Sequence, residues 1–230
     1  MGDFRVLVTG FVPFGKHRIN ASQAVVRALG NAKLPGVCVT TLVLPVVFAE
    51  AWAAVRAHLD GLPAGERPHA LVLTGMAAKS TKVRLERLAV NLADCESFAA
   101  PGRRPIARPD NAGQAPVDRP IVPGGPLALP ARADVKALAR TLKAAGLPIE
   151  LSLSAGAYVC NDIYYRALAH LESAGDPMAC VFVHLPELPR RRPVRVLGLT
   201  LPIVRYTRLS LALNLQVATV RALVAALAPR

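Results

Sequence analysis

Acidic residues are scarce in this chain: 15 Asp and Glu stand against 28 Lys and Arg in 230 residues, a formal net charge of +13. Aromatic residues are scarce too, at 5%, so the arginines are not interleaved with the stacking platforms that bind single-stranded nucleic acid. No helix-turn-helix pattern accompanies them. The excess charge reads as a solvated, arginine-rich face, densest at Arg103-Arg104 and at Arg190-Arg191-Arg192 with Arg195, and no specific nucleic-acid partner is expected. Cysteine is sparse as well. Cys38, Cys95, Cys160 and Cys180 show neither CxxC nor Cys/His ligand spacing, which argues against a zinc site and against a disulfide framework. No metal and no cofactor is expected. Long apolar runs are missing: the stretch from Val37 to Val55 is broken by Pro45 and Glu50, so no membrane span is expected. Met1-Gly2-Asp3-Phe4-Arg5 enters an apolar strand directly, with no basic leader, no cleavage site and Val6 where a myristoylation signal wants Ser or Thr. A cytoplasmic location is the expectation.

What is abundant is core-forming material, 53% hydrophobic against 19% charged. Apolar runs alternate with helical patterns. Strands are predicted at 5–10, 37–44, 69–75, 149–153 and 179–184, and helices at 21–30, 47–59, 132–145, 161–173 and 209–227. Such alternation predicts an α/β fold, a single domain over residues 1–230 with a twisted, mostly parallel sheet and helices on both faces. Residues 83–92 read as one further strand. Residues 95–130, rich in Pro and Gly, read as a long excursion over the surface.

Chemistry concentrates at Ser154-Ala155-Gly156-Ala157-Tyr158-Val159-Cys160-Asn161, followed 24 residues on by His184. The helical pattern beginning at 161 puts Cys160 at or near a helix N-terminus, where unpaired N–H groups and the helix dipole favour the thiolate. His184 closes the apolar run Cys180-Val181-Phe182-Val183. The C-terminal end of such a strand is where open α/β sheets carry their sites. Cys38 and Cys180, in apolar strand-like runs, read as buried small hydrophobes, and Cys95 as a loop residue. His17, His58, His69 and His170 read as surface or satisfied residues.

Two further segments carry alternatives. Phe11 and Phe14, in Gly10-Phe11-Val12-Pro13-Phe14-Gly15, either close the core or wall a pocket; the segment lacks GxGxxG and the P-loop lysine, so a nucleotide site is a weak reading. Asn20 suits a helix N-cap before Ala21-Ser22-Gln23. Glu86, in Val83-Arg84-Leu85-Glu86-Arg87-Leu88-Ala89-Val90-Asn91, reads on its own as an exposed carboxylate paired to Arg84 or Arg87.

Taken together, Val8-Thr9-Gly10-Phe11-Val12-Pro13-Phe14-Gly15 with Asn20, Glu86-Arg87-Leu88-Ala89-Val90-Asn91, and the Cys160 and His184 pair resemble the pyroglutamyl peptidase I family of cysteine peptidases. Weaker similarity at Leu44-Pro45, Pro109-Asp110-Asn111-Ala112-Gly113 and the helix near 132–145 extends the resemblance over roughly residues 4–190. It implies a triad of Cys160, His184 and Glu86, the last orienting the histidine. It also implies a pyrrolidone pocket in which Phe11 and Phe14 clamp the ring and Asn20 hydrogen-bonds the lactam, lined further by Met76, Tyr158 and Val159. By the same analogy Arg108 assists the helix N–H groups at the oxyanion. Substrates would be peptides with an N-terminal pyroglutamate, and the assembly a homo-oligomer, dimer or tetramer. Two departures stand out. Met76-Ala77-Ala78-Lys79 replaces the family's Gln and Gly-Gly-Arg, and insertions are read near 95–107 and 190–205. The alternatives are a related cysteine hydrolase of altered N-terminal specificity or weak activity, and a non-catalytic basic binding protein.

Overall fold

A computed structural model describes residues 3–30, 34–63, 65–97, 106–196, 199–205 and 209–229. Arg103-Arg104 and the middle of the expected insertion at 95–107 lie outside the described residues. Along the chain the elements are β1 (Phe4–Phe11), α1 (Ala21–Leu29), β2 (Val37–Leu44), α2 (Glu50–Asp60), β3 (Ala70–Met76), β4 (Val83–Glu86), β5 (Leu88–Val90), β6 (Glu96–Ser97), β7 (Ile106–Ala107), β8 (Ala128–Pro130), α3 (Val135–Ala144), β9 (Ile149–Ser152), α4 (Val159–Ser173), β10 (Ala179–Leu185), β11 (Arg190–Val196), β12 (Leu199–Arg205) and α5 (Leu213–Leu227).

The main sheet has six strands in the order β2-β1-β3-β10-β4-β9. Its β-branched, continuously apolar central strands β1, β3 and β10 are buried on both faces, as strands covered by helices must be. All pairings are parallel except β10 with β4, so β4 and β9 run against the other four. Side chains alternate between two cores. Leu7, Leu71, Leu73 and Phe182 pack with α2 and α4 on one face, while Val8, Val72, Val181 and Val183 pack with α1, α3 and α5 on the other. The expected α/β arrangement with helices on both faces is therefore the one observed.

Differences from the sequence expectation have local causes. Residues 83–92 form two short strands, because the chain breaks at Arg87, whose N–H bonds Ser152 O at 2.8 Å while its carbonyl accepts from Ala131 N at 2.9 Å. Residues 95–130 are no mere surface excursion. Cys95, Ile121 and Leu129 are buried in the α4-side core, and β5 pairs β8 there. Cys38 is exposed rather than buried, since β2 is an edge strand and its outer face meets solvent. Helix α2 starts three residues late, at Glu50, behind Ala49 in a left-handed conformation (φ 60°) held by its N–H to Asp162 Oδ2 at 2.9 Å. The backbone of 190–205 pairs as an antiparallel hairpin, β11 with β12, separate from the main sheet. Among the described residues no helix is long and apolar enough to cross a membrane.

Candidate active site

Three neighbouring strands and one helix end build the site. Strand alternation points His184 of β10 toward α4, on the face that also carries Cys180 and Phe182. Because β4 is antiparallel to β10 with Glu86 opposite Phe182, Glu86 lies diagonal to His184 on that same face. The two side chains meet, His184 Nδ1 to Glu86 Oε1 at 2.8 Å. Glu86 is fully buried, its Oε2 has no hydrogen-bond partner among the described residues, and Arg84 is engaged with Glu150 instead. The exposed, arginine-paired carboxylate read from the sequence alone is thus corrected: charge buried at 0% exposure faces an imidazole.

From the opposite side comes α4. Cys160 is its second residue, partly exposed and close enough to His184 to influence its charge. Burial pushes the His184 pKa down, but hydrogen bonds and charge from Cys160 and Glu86 outweigh it and raise the group from 6.5 to about 9. The shift favours the imidazolium at neutral pH, a cation between a carboxylate and a sulfur. Burial raises the other core thiols, Cys180 to about 12 and Cys95 to about 11, the latter helped by Asp110 and Asp94. They stay protonated and inert.

Helix α4 also begins unlike α1 and α3. Asn20 caps α1 and Asp134 caps α3, whereas Tyr158 at the N-cap of α4 makes no side-chain cap. The first N–H groups of α4, next to the sulfur, are left for an incoming acceptor. Tyr158 spends its hydroxyl on Pro109 O at 3.0 Å and its ring on Phe48, 5.4 Å away edge-on.

A small, open cleft lies beside the sulfur, lined by Phe11, Phe14, Asn20, Val46, Met76, Tyr158, Val159 and Cys160. No charged side chain is among them. Seven of these residues were expected at the site from the sequence; Val46 was not. Phe11 belongs to both readings, since it is buried in the core and walls the pocket. Asn20 caps α1 as expected: its Oδ1 accepts from Ser22 N at 3.0 Å and Ser22 Oγ at 2.8 Å, and its Nδ2 donates to Val12 O at 3.0 Å. Arg108 is exposed and is not among the lining residues. Its neighbour Asp110 is a buckle, accepting from Phe48 N, Ala112 N and Gln114 N, while Asn111 donates to Pro13 O at 3.0 Å. The Pro-Asp-Asn motif thus braces two pocket walls from behind. His17 does the same in front, its ring tilted against Phe14 at 5.2 Å and paired to Glu187 at 3.0 Å. No cluster of three or more metal-ligating side chains occurs among the described residues.

The sequence reading missed three supporting residues. Tyr164 donates its buried hydroxyl to Glu86 O at 3.2 Å, and Asn161 bonds Val90 N, Val90 O and Leu92 O, tying the start of α4 to the strand after Glu86. The third is Gly75. It lies opposite His184 in the β3–β10 ladder, and a Cβ there would come 2.8 Å from Cys160 Sγ and 2.9 Å from the Phe182 ring. A glycine inside a strand is the one available signal of such close approach.

A helix-borne thiol, a charged imidazole and a buried carboxylate beside a neutral pocket define a thiol-hydrolase type of site. Comparison with known proteins gives the family. The pyroglutamyl peptidase family model matches residues 4–228. The pyrrolidone-carboxylate peptidase of Escherichia fergusonii is 37% identical over 186 residues, covering 81% of this chain and 79% of that protein. The crystal structure of the pyrrolidone carboxyl peptidase of Fervidobacterium islandicum, 33% identical, superposes with a TM-score of 0.77 over 95% of each chain. Pyroglutamyl peptidase I of Bacillus amyloliquefaciens, 26% identical, gives 0.78 over 98% of this chain and 97% of its own. The chain belongs to the pyroglutamyl peptidase family of cysteine omega peptidases.

The contact at Gly75 makes a prediction. Gly75→Ala displaces the sulfur from His184, so alkylation of Cys160 by iodoacetamide at neutral pH slows roughly tenfold or more, the order expected when a thiolate loses its imidazolium. Exposed Cys38 serves as internal control in peptide mapping. Equal Cys160 rates in variant and parent would show that the sulfur does not need the space.

Proposed function

We propose that this protein removes an N-terminal pyroglutamate from peptides, with Cys160 as nucleophile, His184 as proton carrier and Glu86 as the acid that orients it. The observation that carries the reading is the neutral, aromatic-walled cavity opening directly on the Cys160 sulfur. A pyrrolidone ring is flat, small and uncharged. The rings of Phe11 and Phe14 suit its faces, and Asn20, with one amide N–H beyond its bond to Val12 O, suits its lactam oxygen. A free glutamyl carboxylate or a prolyl ammonium would have to leave water without a counter-charge in such a pocket.

The thiolate adds to the carbonyl between pyroglutamate and the next residue. Negative charge on the carbonyl oxygen is met by the uncapped N–H groups at the start of α4. His184, already an imidazolium, gives its proton to the departing amine as the C–N bond breaks, leaving a thioester on Cys160. The now neutral imidazole takes a proton from water, the hydroxide equivalent cleaves the thioester, and pyroglutamate leaves while thiolate and imidazolium are restored. Glu86 keeps Nδ1–H engaged, so that Nε2 faces the chemistry.

A second reading is favoured by one observation. Met76, in the wall where the family commonly has Gln, offers no side-chain hydrogen bond, which suits a related thiol hydrolase of weaker or altered N-terminal specificity. From the resemblance we also infer a homo-oligomer and a cytoplasmic location.

Aminocoumarin amides discriminate these readings. Turnover of the pyroglutamyl amide, with prolyl and glutamyl amides at least about 100-fold poorer in kcat/KM, is expected from the desolvation penalty. Comparable turnover of the prolyl amide would remove the lactam recognition. In the same assay Glu86→Gln lowers kcat by roughly 10- to 10⁴-fold with an unchanged melting curve. A kcat within about twofold of the parent would leave a Cys160 and His184 dyad.

A further inference from the structure

The pocket accounts for the pyroglutamyl group but not for the charge that surrounds its mouth. Three described segments next to the pocket walls carry exposed cations, and a fourth carries arginines in its sequence. The loop bearing Phe14 carries exposed Lys16 and Arg18 on either side of His17. Lys79, also exposed, follows the pocket residue Met76 by three positions, in a segment tied to the catalytic strand by Ala77 N to Leu185 O at 2.8 Å. Arg108, exposed, adjoins Pro109, which anchors the Tyr158 hydroxyl. The fourth is the hairpin β11–β12. Its backbone starts six residues after His184, and its sequence includes Arg190, Arg191, Arg192, Arg195 and Arg205.

The root of that hairpin is fixed beside the pocket. Glu187 pairs with His17 at 3.0 Å, bridges to Ser210, and accepts Leu211 N at 2.9 Å, while Gln216 donates to Pro186 O at 3.0 Å. Both ends of the hairpin are therefore held within a few residues of His184 on one side and Phe14 on the other. No acidic residue occurs from Leu188 to Arg230 to offset its arginines.

Carboxylates near the mouth are few and mostly engaged. Glu86 and Asp110 are buried, and Glu187 is 14% exposed and paired to His17. Glu96 is exposed on β6, opposite Ala107 and next to Arg108; Asp94 accepts Glu96 N at 2.9 Å. The balance at the mouth remains cationic. Since the cavity itself holds no charged side chain, this field cannot act on the pyroglutamyl ring. It acts on what projects from the mouth, the peptide beyond the scissile bond.

We propose that the enzyme selects pyroglutamyl peptides whose first residues after the scissile bond are acidic, through the cationic rim formed by Lys16, Arg18, Lys79 and Arg108. This rests on the reading of the site as a pyroglutamyl peptidase. The rim raises the local concentration of anionic peptides and holds them while the ring seats, so the preference appears in kcat/KM and is screened by salt.

Three peptides of equal length test it, each with pyroglutamate first and then two Asp, two Ala or two Lys residues. At about 0.02 M salt the Asp peptide is expected to exceed the Lys peptide roughly tenfold or more in kcat/KM, the Ala peptide lying between, and at about 0.5 M salt the gap closes. The Lys16→Ser/Arg18→Ser double variant, and separately Lys79→Ser, reduce the Asp-to-Lys ratio at low salt. Cleavage of the Ala peptide with equal or reversed rates for Asp and Lys would overturn the charge selection while leaving the activity standing. Failure to cleave any of the three would overturn both. A preference that persists unchanged at high salt would assign it to shape instead and overturn the electrostatic account.

Discussion

A buried carboxylate with a single partner is the constraint on which the rest of the site depends. Glu86 is fully enclosed, one of its oxygens finds no partner among the described residues, and the other reaches only His184. An isolated carboxylate in such surroundings is costly, and the cost falls most when the imidazole that donates to it also carries positive charge. That positive charge lies beside the Cys160 sulfur. Burial works against the imidazolium, yet the two partners together lift its pKa to about 9. In the proposed mechanism this leaves a proton on the imidazole, where the leaving amine needs it.

The fold supplies this pairing through one reversal of strand direction. Had β4 run parallel to β10, its register against His184 would be set by a crossover elsewhere; antiparallel, with Glu86 opposite Phe182, it brings the carboxylate diagonal to the histidine. Helix α4 then lays the sulfur over Gly75 on the next strand, where only hydrogen leaves room. Several buried polar groups hold the loops that complete the wall. Asp110 gathers three backbone N–H groups, Asn161 three backbone partners around β5, and Asp162 fixes the strained start of α2 while pairing with Arg166. Each would leave unsatisfied groups if removed, at about 1–3 kcal/mol apiece.

Much of this was legible in the residues. Continuous apolar strands and amphipathic helices announced the layers, and small residues before Cys160 with a strand ending at His184 singled out two of the residues that the fold brings together. Glu86 was not legible alone, because a Glu between two arginines looks like a surface ion pair until the partner strand is known. The edge position of β2, which exposes Cys38, and the burial of Ile121 and Leu129 in a Pro- and Gly-rich stretch depend on strand order and long-range packing. Neither leaves a periodic trace. Gly75 leaves only the trace of a glycine where a strand would prefer a branched side chain.

The charge state of His184 tests the account most directly. Nitrogen-15 NMR of the imidazole in the resting enzyme should report both ring nitrogens protonated at neutral pH, with the proton lost only as pH approaches about 9, and Glu86→Gln should move that titration to lower pH. A neutral His184 at pH 7 in the parent, or a titration unmoved by Glu86→Gln, would contradict a site organised around the buried carboxylate.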